Sequence, residues 1–341
     1  MNRIFATCAI VTLAVGAPGA AFAQAGKTLE QIKQRGYVTC GVNPGLAGFG
    51  LPDDKGAWTG LDVDLCRAIT SAIFDDVNKI KFVPLTAKDR FTALQSGEID
   101  VLIRNGTWTQ SREAELGLLF TGVNYYDGQG FMVRKKLNLN SALELNGASV
   151  CVQQGTTTEL NLADFFRSHN IKYEGVAFAT SNEAVKAYDS GRCDAYTTDA
   201  SGLYAERVKL TNVDEHVVLP EVISKEPLGP AVRKGDDQWF DIVRWSHFAM
   251  VNAEELGVTK ANVDEMAKSN SPEIKRLLGS EGDFGKSMGL TKDWAYRIVK
   301  KVGNYGEVFE KNVGENSGLK IKRGLNSLWN KGGIQYAPPI R

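Results

Sequence analysis

Histidine is scarce in this chain: 341 residues carry three, His169, His216 and His247. None falls in an H-E-x-x-H pattern or at metal-ligand spacing, so the sequence carries no zinc-hydrolase signature. An excess of one charge is also missing. Lys plus Arg and Asp plus Glu number 40 each, for a formal net charge of zero. That removes the electrostatic footprint of a nucleic-acid or anionic-membrane binder. There is no C-x-x-C, the spacing that zinc and thiol-redox sites use. Beyond the N-terminal segment, no run is apolar enough to cross a bilayer. One hydrolase-like match exists, GKSMG at 285–289. It follows the polar turn SEGDF, whereas a nucleophile elbow must follow a strand. It is read as chance.

What the chain does have is concentrated at residues 88–113, KDRFTALQSGEIDVLIRNGTWTQSRE. The pattern is helix, turn, strand, loop, helix start. Phe91 and Leu94 are apolar at helical spacing, and Gly97 is placed to end that helix with a left-handed residue. Residues 99–103 form a short apolar run that reads as a buried strand. Arg104, Asn105, Thr107, Thr109 and Arg112 follow it. In an open α/β sheet the groups past a strand's C-terminal end build the ligand crevice. A helix starting there adds N–H groups that suit an anion. An Arg fork fits a carboxylate or phosphate through two parallel hydrogen bonds.

The device occurs twice. Residues 93–101 read ALQSGEIDV and residues 187–195 read AYDSGRCDA. On this register Asn105 corresponds to Asp199. A second pair of segments, VTCGV at 38–42 and SVCVQ at 149–153, are both apolar strands carrying a cysteine. The chain therefore reads as two similarly built α/β lobes. One supplies Arg112 and the other Asp199. A cation and an anion facing each other across a cleft suit a zwitterion, with the α-carboxylate on Arg112 and the α-ammonium on Asp199.

Length allows about two domains, and residues 1–23 read as a cleavable signal peptide. Arg3 is the positive start, an apolar run follows, and Ala21-Phe22-Ala23 is the cleavage site. Without Cys8, four cysteines remain. An even count in an exported chain reads as disulfides. Four cysteines permit three pairings. One bridge per lobe, Cys40–Cys66 and Cys151–Cys193, is favoured over a bridge across the cleft. Free buried thiols are the other reading. The glycine-rich loop at 43–50 either presents Phe49 to a ligand or is an ordinary turn. Asp62 is placed to cap the helix carrying Leu65, Ile69 and Ala72. In QQGTTTE, which starts at Gln153, Thr156 and Glu159 have capping-box spacing, which either leaves Thr157 to face the cleft or is helix capping alone. Two extended segments, YYDGQGFMV at 125–133 and KEPLGPAVRKGD at 225–236, read as crossovers between lobes. Two crossovers make a hinge. The lobes are expected at 24–130 plus 226–341, the last part mostly helical, and at 131–225.

These segments, with GLDVDLCRAI at 60–69, GRCDAYTTD at 191–199 and GGIQYAPP at 332–339, resemble the periplasmic solute-binding proteins of polar amino-acid ABC importers. The likeness covers essentially the whole mature chain. It implies a type II periplasmic-binding-protein fold, two Rossmann-like lobes on a two-strand hinge. It also implies a monomer without cofactor or catalytic activity. The ligand would be an L-amino acid, passed to an inner-membrane permease with a cytoplasmic ATPase. By this resemblance Arg112 takes the α-carboxylate with Asn105, Thr107 and Thr157, and Asp199 takes the α-ammonium. Arg104 and Gln153 stand beside them. Arg90 sits where binders of acidic amino acids place an Arg that reads the side chain. A helix-face Arg paired with Asp89 or Glu98 is the alternative. Glutamate, glutamine, aspartate and asparagine are the expected ligands. Where lysine- and histidine-binding relatives present a Tyr, this chain has Leu46. The competing function is a dehydratase-like enzyme using a cleft carboxylate, for which Asp199 is the one candidate.

Overall fold

The structure is a computed structural model describing residues 27–341. The signal-peptide reading at 1–23 lies outside the described residues. Two five-stranded sheets organise the chain, and they share one plan. In the first, Ile80–Pro84, Val38–Val42 and Val101–Leu102 run parallel, followed by Ala231–Arg233 and Leu118–Phe120. In the second, Tyr173–Phe178, Ala148–Gln153 and Ala195–Asp199 run parallel, followed by Gln129–Arg134 and His216–Val218. The fourth strand of each sheet is antiparallel to the third.

The internal repeat has a physical basis. Asp100 accepts hydrogen bonds from the Thr39 N–H at 2.7 Å and the Thr39 hydroxyl at 2.8 Å. Asp194 accepts from the Ser149 N–H at 2.9 Å and the Ser149 hydroxyl at 2.8 Å. In both lobes the Asp enters a strand and staples it to the start of the first strand. Gly97 ends its helix at φ +80°, as its lack of a Cβ permits. The strand that follows it is shorter than the apolar run, Val101–Leu102.

Both disulfides form one per lobe. Cys40–Cys66 ties the first strand to the helix Leu61–Phe74. Cys151–Cys193 ties a strand to the turn that enters its parallel neighbour.

The hinge is a pair of antiparallel strands, Tyr125–Asp127 against Glu226–Leu228. Each feeds directly into the antiparallel fourth strand of the lobe it enters. A single bulging glycine, Gly128, separates Tyr125–Asp127 from Gln129–Arg134; a Cβ there would lie 2.8 Å from the Ser224 carbonyl. The C-terminal helices, including Trp294–Lys301 and Tyr305–Asn312, cover the first lobe. Trp294 is core, but Trp329 is half exposed and meets Tyr336 edge-on rather than filling the interior. Asn326 reaches the hinge. It accepts from the Tyr126 N–H at 2.7 Å and donates to the Tyr126 carbonyl at 3.0 Å.

Candidate ligand-binding cleft

The ends of Val101–Leu102 and Ala195–Asp199 point at each other across the hinge. Seven of the nine residues singled out from sequence line one cavity there: Arg90, Arg104, Asn105, Thr107, Gln153, Thr157 and Asp199. It measures about 20 Å³, room for a water molecule. An amino acid needs more, so its entry requires the lobes to part. A larger cavity of about 260 Å³ lies among Asn252, Leu277, Trp329 and Tyr336 on the C-terminal helices. It joins no strand ends and sits on one lobe, so its size does not make it the better candidate.

The first-lobe wall is held from behind. Asp62 does not cap its helix, whose N-cap is Gly60. Its buried carboxylate instead accepts from the Asn105 N–H at 2.7 Å and the Asn124 amide at 3.0 Å. These bonds hold Asn105 at φ +33°, on the left-handed side that Asn tolerates better than other non-glycine residues. Burial raises the Asp62 carboxyl to about 6, against the pull of these donors and of Arg104. The Arg104 Nε donates to the Leu85 carbonyl at 2.7 Å. Burial lowers the Arg104 guanidinium to about 10.

Three guanidiniums share this wall. Arg90 and Arg112 lie over the same ring, Phe91, at 4.9 and 5.1 Å from its centroid. Sequence reading had assigned Phe91 only a core role; a helical i, i+1 Arg-Phe pair gives no hint of it. Arg112 was expected to face the cleft and take the α-carboxylate. It instead donates to the Thr107 carbonyl at 2.8 Å and does not line the cavity. The Thr107 carbonyl and the Phe91 ring satisfy this buried guanidinium, with Glu226 and Asp199 near enough to favour its charge. Arg90 forms no pair with Asp89, which bonds Thr86 instead. It is 3% exposed, and its Nε has no hydrogen-bond partner. Burial, then Arg112 and Arg104, push its guanidinium well below the usual arginine range.

The Thr156 hydroxyl caps the helix Thr157–Ser168 by accepting from the Glu159 N–H. Glu159 reaches the Gly155 N–H instead of closing a capping box. Asp199 is buried at the second-lobe strand end. Burial, then Asp127 and Glu226, raise its carboxyl well above the carboxylate range, while Arg90 and Arg112 oppose that shift. Burial likewise raises the Asp127 carboxyl, in the hinge, to about 6, with Ser201 and Gly128 donating to it.

Phe49 was expected among the ligand contacts. It is fully buried and meets Tyr125 edge-on at 5.2 Å. A large apolar ring beside the first sheet gains more from the core than from a polar cleft. Glu226 was missed. It is 1% exposed and accepts from Thr107, Thr157, Asn161 and Ser224. In sequence it was one letter in a crossover, and only the hinge pairing turns it into the cleft.

Two like lobes, a double-stranded hinge and a charged cavity between them define a two-lobed solute-binding protein. The chain belongs to the bacterial extracellular solute-binding proteins, family 3, whose sequence model matches residues 38–261. It is 62% identical over 335 residues to the general L-amino acid-binding periplasmic protein AapJ of Rhizobium johnstonii, covering 98% of each chain. It is 54% identical to the glutamate/glutamine/aspartate/asparagine-binding protein BztA of Rhodobacter capsulatus, over 100% of this chain and 99% of that one. An ABC transporter periplasmic binding protein from Brucella ovis with glutathione bound superposes with a TM-score of 0.91. That structure is 62% identical, and the match covers 92% of this chain and 99% of that one. These relatives are named as binders, not enzymes, and the dehydratase reading is not the better supported one.

Proposed function

We propose that this chain binds L-amino acids in the periplasm and delivers them to an inner-membrane ABC permease. The observation that carries the reading is the pair of buried opposite charges, Arg90 and Asp199, on facing walls of one cavity between the lobes. A zwitterion with a polar side chain matches that arrangement. Asp199 takes the α-ammonium. Arg112 leaves the Thr107 carbonyl to meet the α-carboxylate, together with N–H groups at the start of Thr157–Ser168. Arg90 reads the side chain, which favours glutamate, glutamine, aspartate and asparagine, with aliphatic ligands weaker. The names of AapJ and BztA support both the breadth and the preference. The bound glutathione of the Brucella ovis structure supports a second ligand class, since its γ-glutamyl end carries the same zwitterion. The lobes divide at the hinge, at Gly128 rather than at 130/131 because Gln129–Arg134 already belongs to the second sheet, and at 225/226; the first 23 residues are removed on export, and the binder works as a monomer.

The test is a thermal-shift screen of the mature protein against the twenty L-amino acids and glutathione. A ligand at about 100 times its Kd adds roughly 2.7 kcal/mol to the folded state. A shift with acidic amino acids and their amides is expected. No shift with any amino acid overturns the reading.

A further inference from the structure

Thr107 and Thr157 come from different lobes, and their hydroxyl oxygens are 3.2 Å apart at the cavity wall. A hydroxyl has one proton to donate and two lone pairs to accept with. The Thr107 hydroxyl donates to Glu226 Oε2 at 2.6 Å, and the Thr157 hydroxyl donates to the same oxygen at 2.9 Å. Glu226 cannot turn away from them. Its Oε1 accepts from the Asn161 amide at 2.7 Å and the Ser224 hydroxyl at 2.7 Å. Its backbone is paired into the hinge opposite Asp127. The loop carrying Thr107 is tied to the same hinge strand, since the Trp108 N–H donates to the Pro227 carbonyl at 2.8 Å.

With both protons committed to Glu226, the two hydroxyls show only lone pairs to the cleft. We infer that Glu226 is a positioning residue that turns Thr107 and Thr157 into a two-pronged acceptor for the ligand's α-ammonium, beside Asp199. This rests on the amino-acid reading above and deepens it. It also redirects the two hydroxyls, which sequence reasoning had grouped with the carboxylate-binding residues. A hydroxyl without a proton to give repels a carboxylate oxygen and suits an N–H donor. Three acceptors, the Asp199 carboxylate and two hydroxyls, match the three N–H groups of an ammonium. The site thereby selects a primary amine by hydrogen-bond polarity as well as by charge.

The experiment is calorimetry of L-glutamate binding to wild type, Glu226→Gln, Thr107→Val, Thr157→Val and the two doubles that combine Glu226→Gln with each Val variant. Small-angle scattering is recorded at ligand saturation. Glu226→Gln keeps the shape but frees the amide to rotate and donate, so the hydroxyls lose their fixed polarity. Each single variant should bind at least tenfold more weakly. Each double should be clearly less impaired than the product of its two singles, because both changes disable one device. Thr107→Ser, which keeps the hydroxyl, should bind within about threefold of wild type. The ligand-saturated radius of gyration should stay at the wild-type value. Wild-type affinity in Glu226→Gln overturns the inference, and so do multiplicative losses. A changed radius of gyration at saturation also overturns it, since Glu226 would then act by holding the lobes. If Glu226→Gln does not fold, Glu226→Asp withdraws the carboxylate by one methylene and enters the same comparison. A wild type that binds no amino acid fails the functional reading itself, a different outcome from any of these.

Discussion

Arg90 is a guanidinium with an unpartnered Nε, buried on the first-lobe wall. A buried polar group without a partner costs free energy that a ligand carboxylate or amide can return. Arg90→Ala should therefore weaken glutamate binding by at least tenfold, about 1.4 kcal/mol, and leave alanine binding nearly unchanged. Calorimetry with the two ligands reads this directly, and equal losses for both would make Arg90 a structural residue. How far such residues are legible in sequence depends on what surrounds them. Asn105 and Asp199 were found because a repeated turn puts them at equivalent strand ends. Arg90 lies on a helix, where spacing alone fits a solvated face equally well, and only packing shows which way that face turns. Phe91 was legible as apolar but not as a ring shared by two guanidiniums. Glu226 gave no signal, because its partners come from three separate segments.

At the scale of elements, the sequence was most informative where local chemistry decides. Gly97 ends its helix as a left-handed residue, and Asp100 and Asp194 repeat one strand staple. It was least informative where a long-range partner competes with a local one. Asp62 has the composition of a cap, yet Asn105 and Asn124 claim its carboxylate from another part of the first lobe. The pairing of cysteines follows from the strand order, since Ala148–Gln153 and Ala195–Asp199 are neighbours. The Cys151–Cys193 bridge closes the longer loop, a separation of 42 residues against 26 for Cys40–Cys66. Chain-entropy reasoning gives about 4 kcal/mol for the longer loop. The Cys151→Ser/Cys193→Ser variant should lose up to about that much in urea unfolding. A loss below about 1 kcal/mol would mean that the bridge adds little to what the sheet already holds.

For the molecule as a whole, two lobes, a hinge and a charged cleft act as one linked equilibrium. Two acids sit at the hinge side of the cleft, with carboxyls shifted up by burial. Burial raises Asp127 to about 6 and Asp199 above the carboxylate range. An ammonium brought against Asp199, which Asp127 faces from the hinge, favours the ionised forms and lowers those pKa values. Binding should therefore release protons, and affinity should fall as pH drops through about 6, where Asp127 protonates. Calorimetry at pH near 6 in buffers of different ionisation enthalpy should give apparent heats whose slope corresponds to proton release; a slope of zero, or of proton uptake, contradicts the linkage. The hinge has one more property. A two-stranded ribbon leaves unpaired backbone along its outer edge, and such an edge is a template for another chain. At Tyr126 the side-chain amide of Asn326 takes both the N–H and the carbonyl, as a residue of a third strand would. The C-terminal segment thus closes to intermolecular strand addition the one part of the molecule that must stay free to bend.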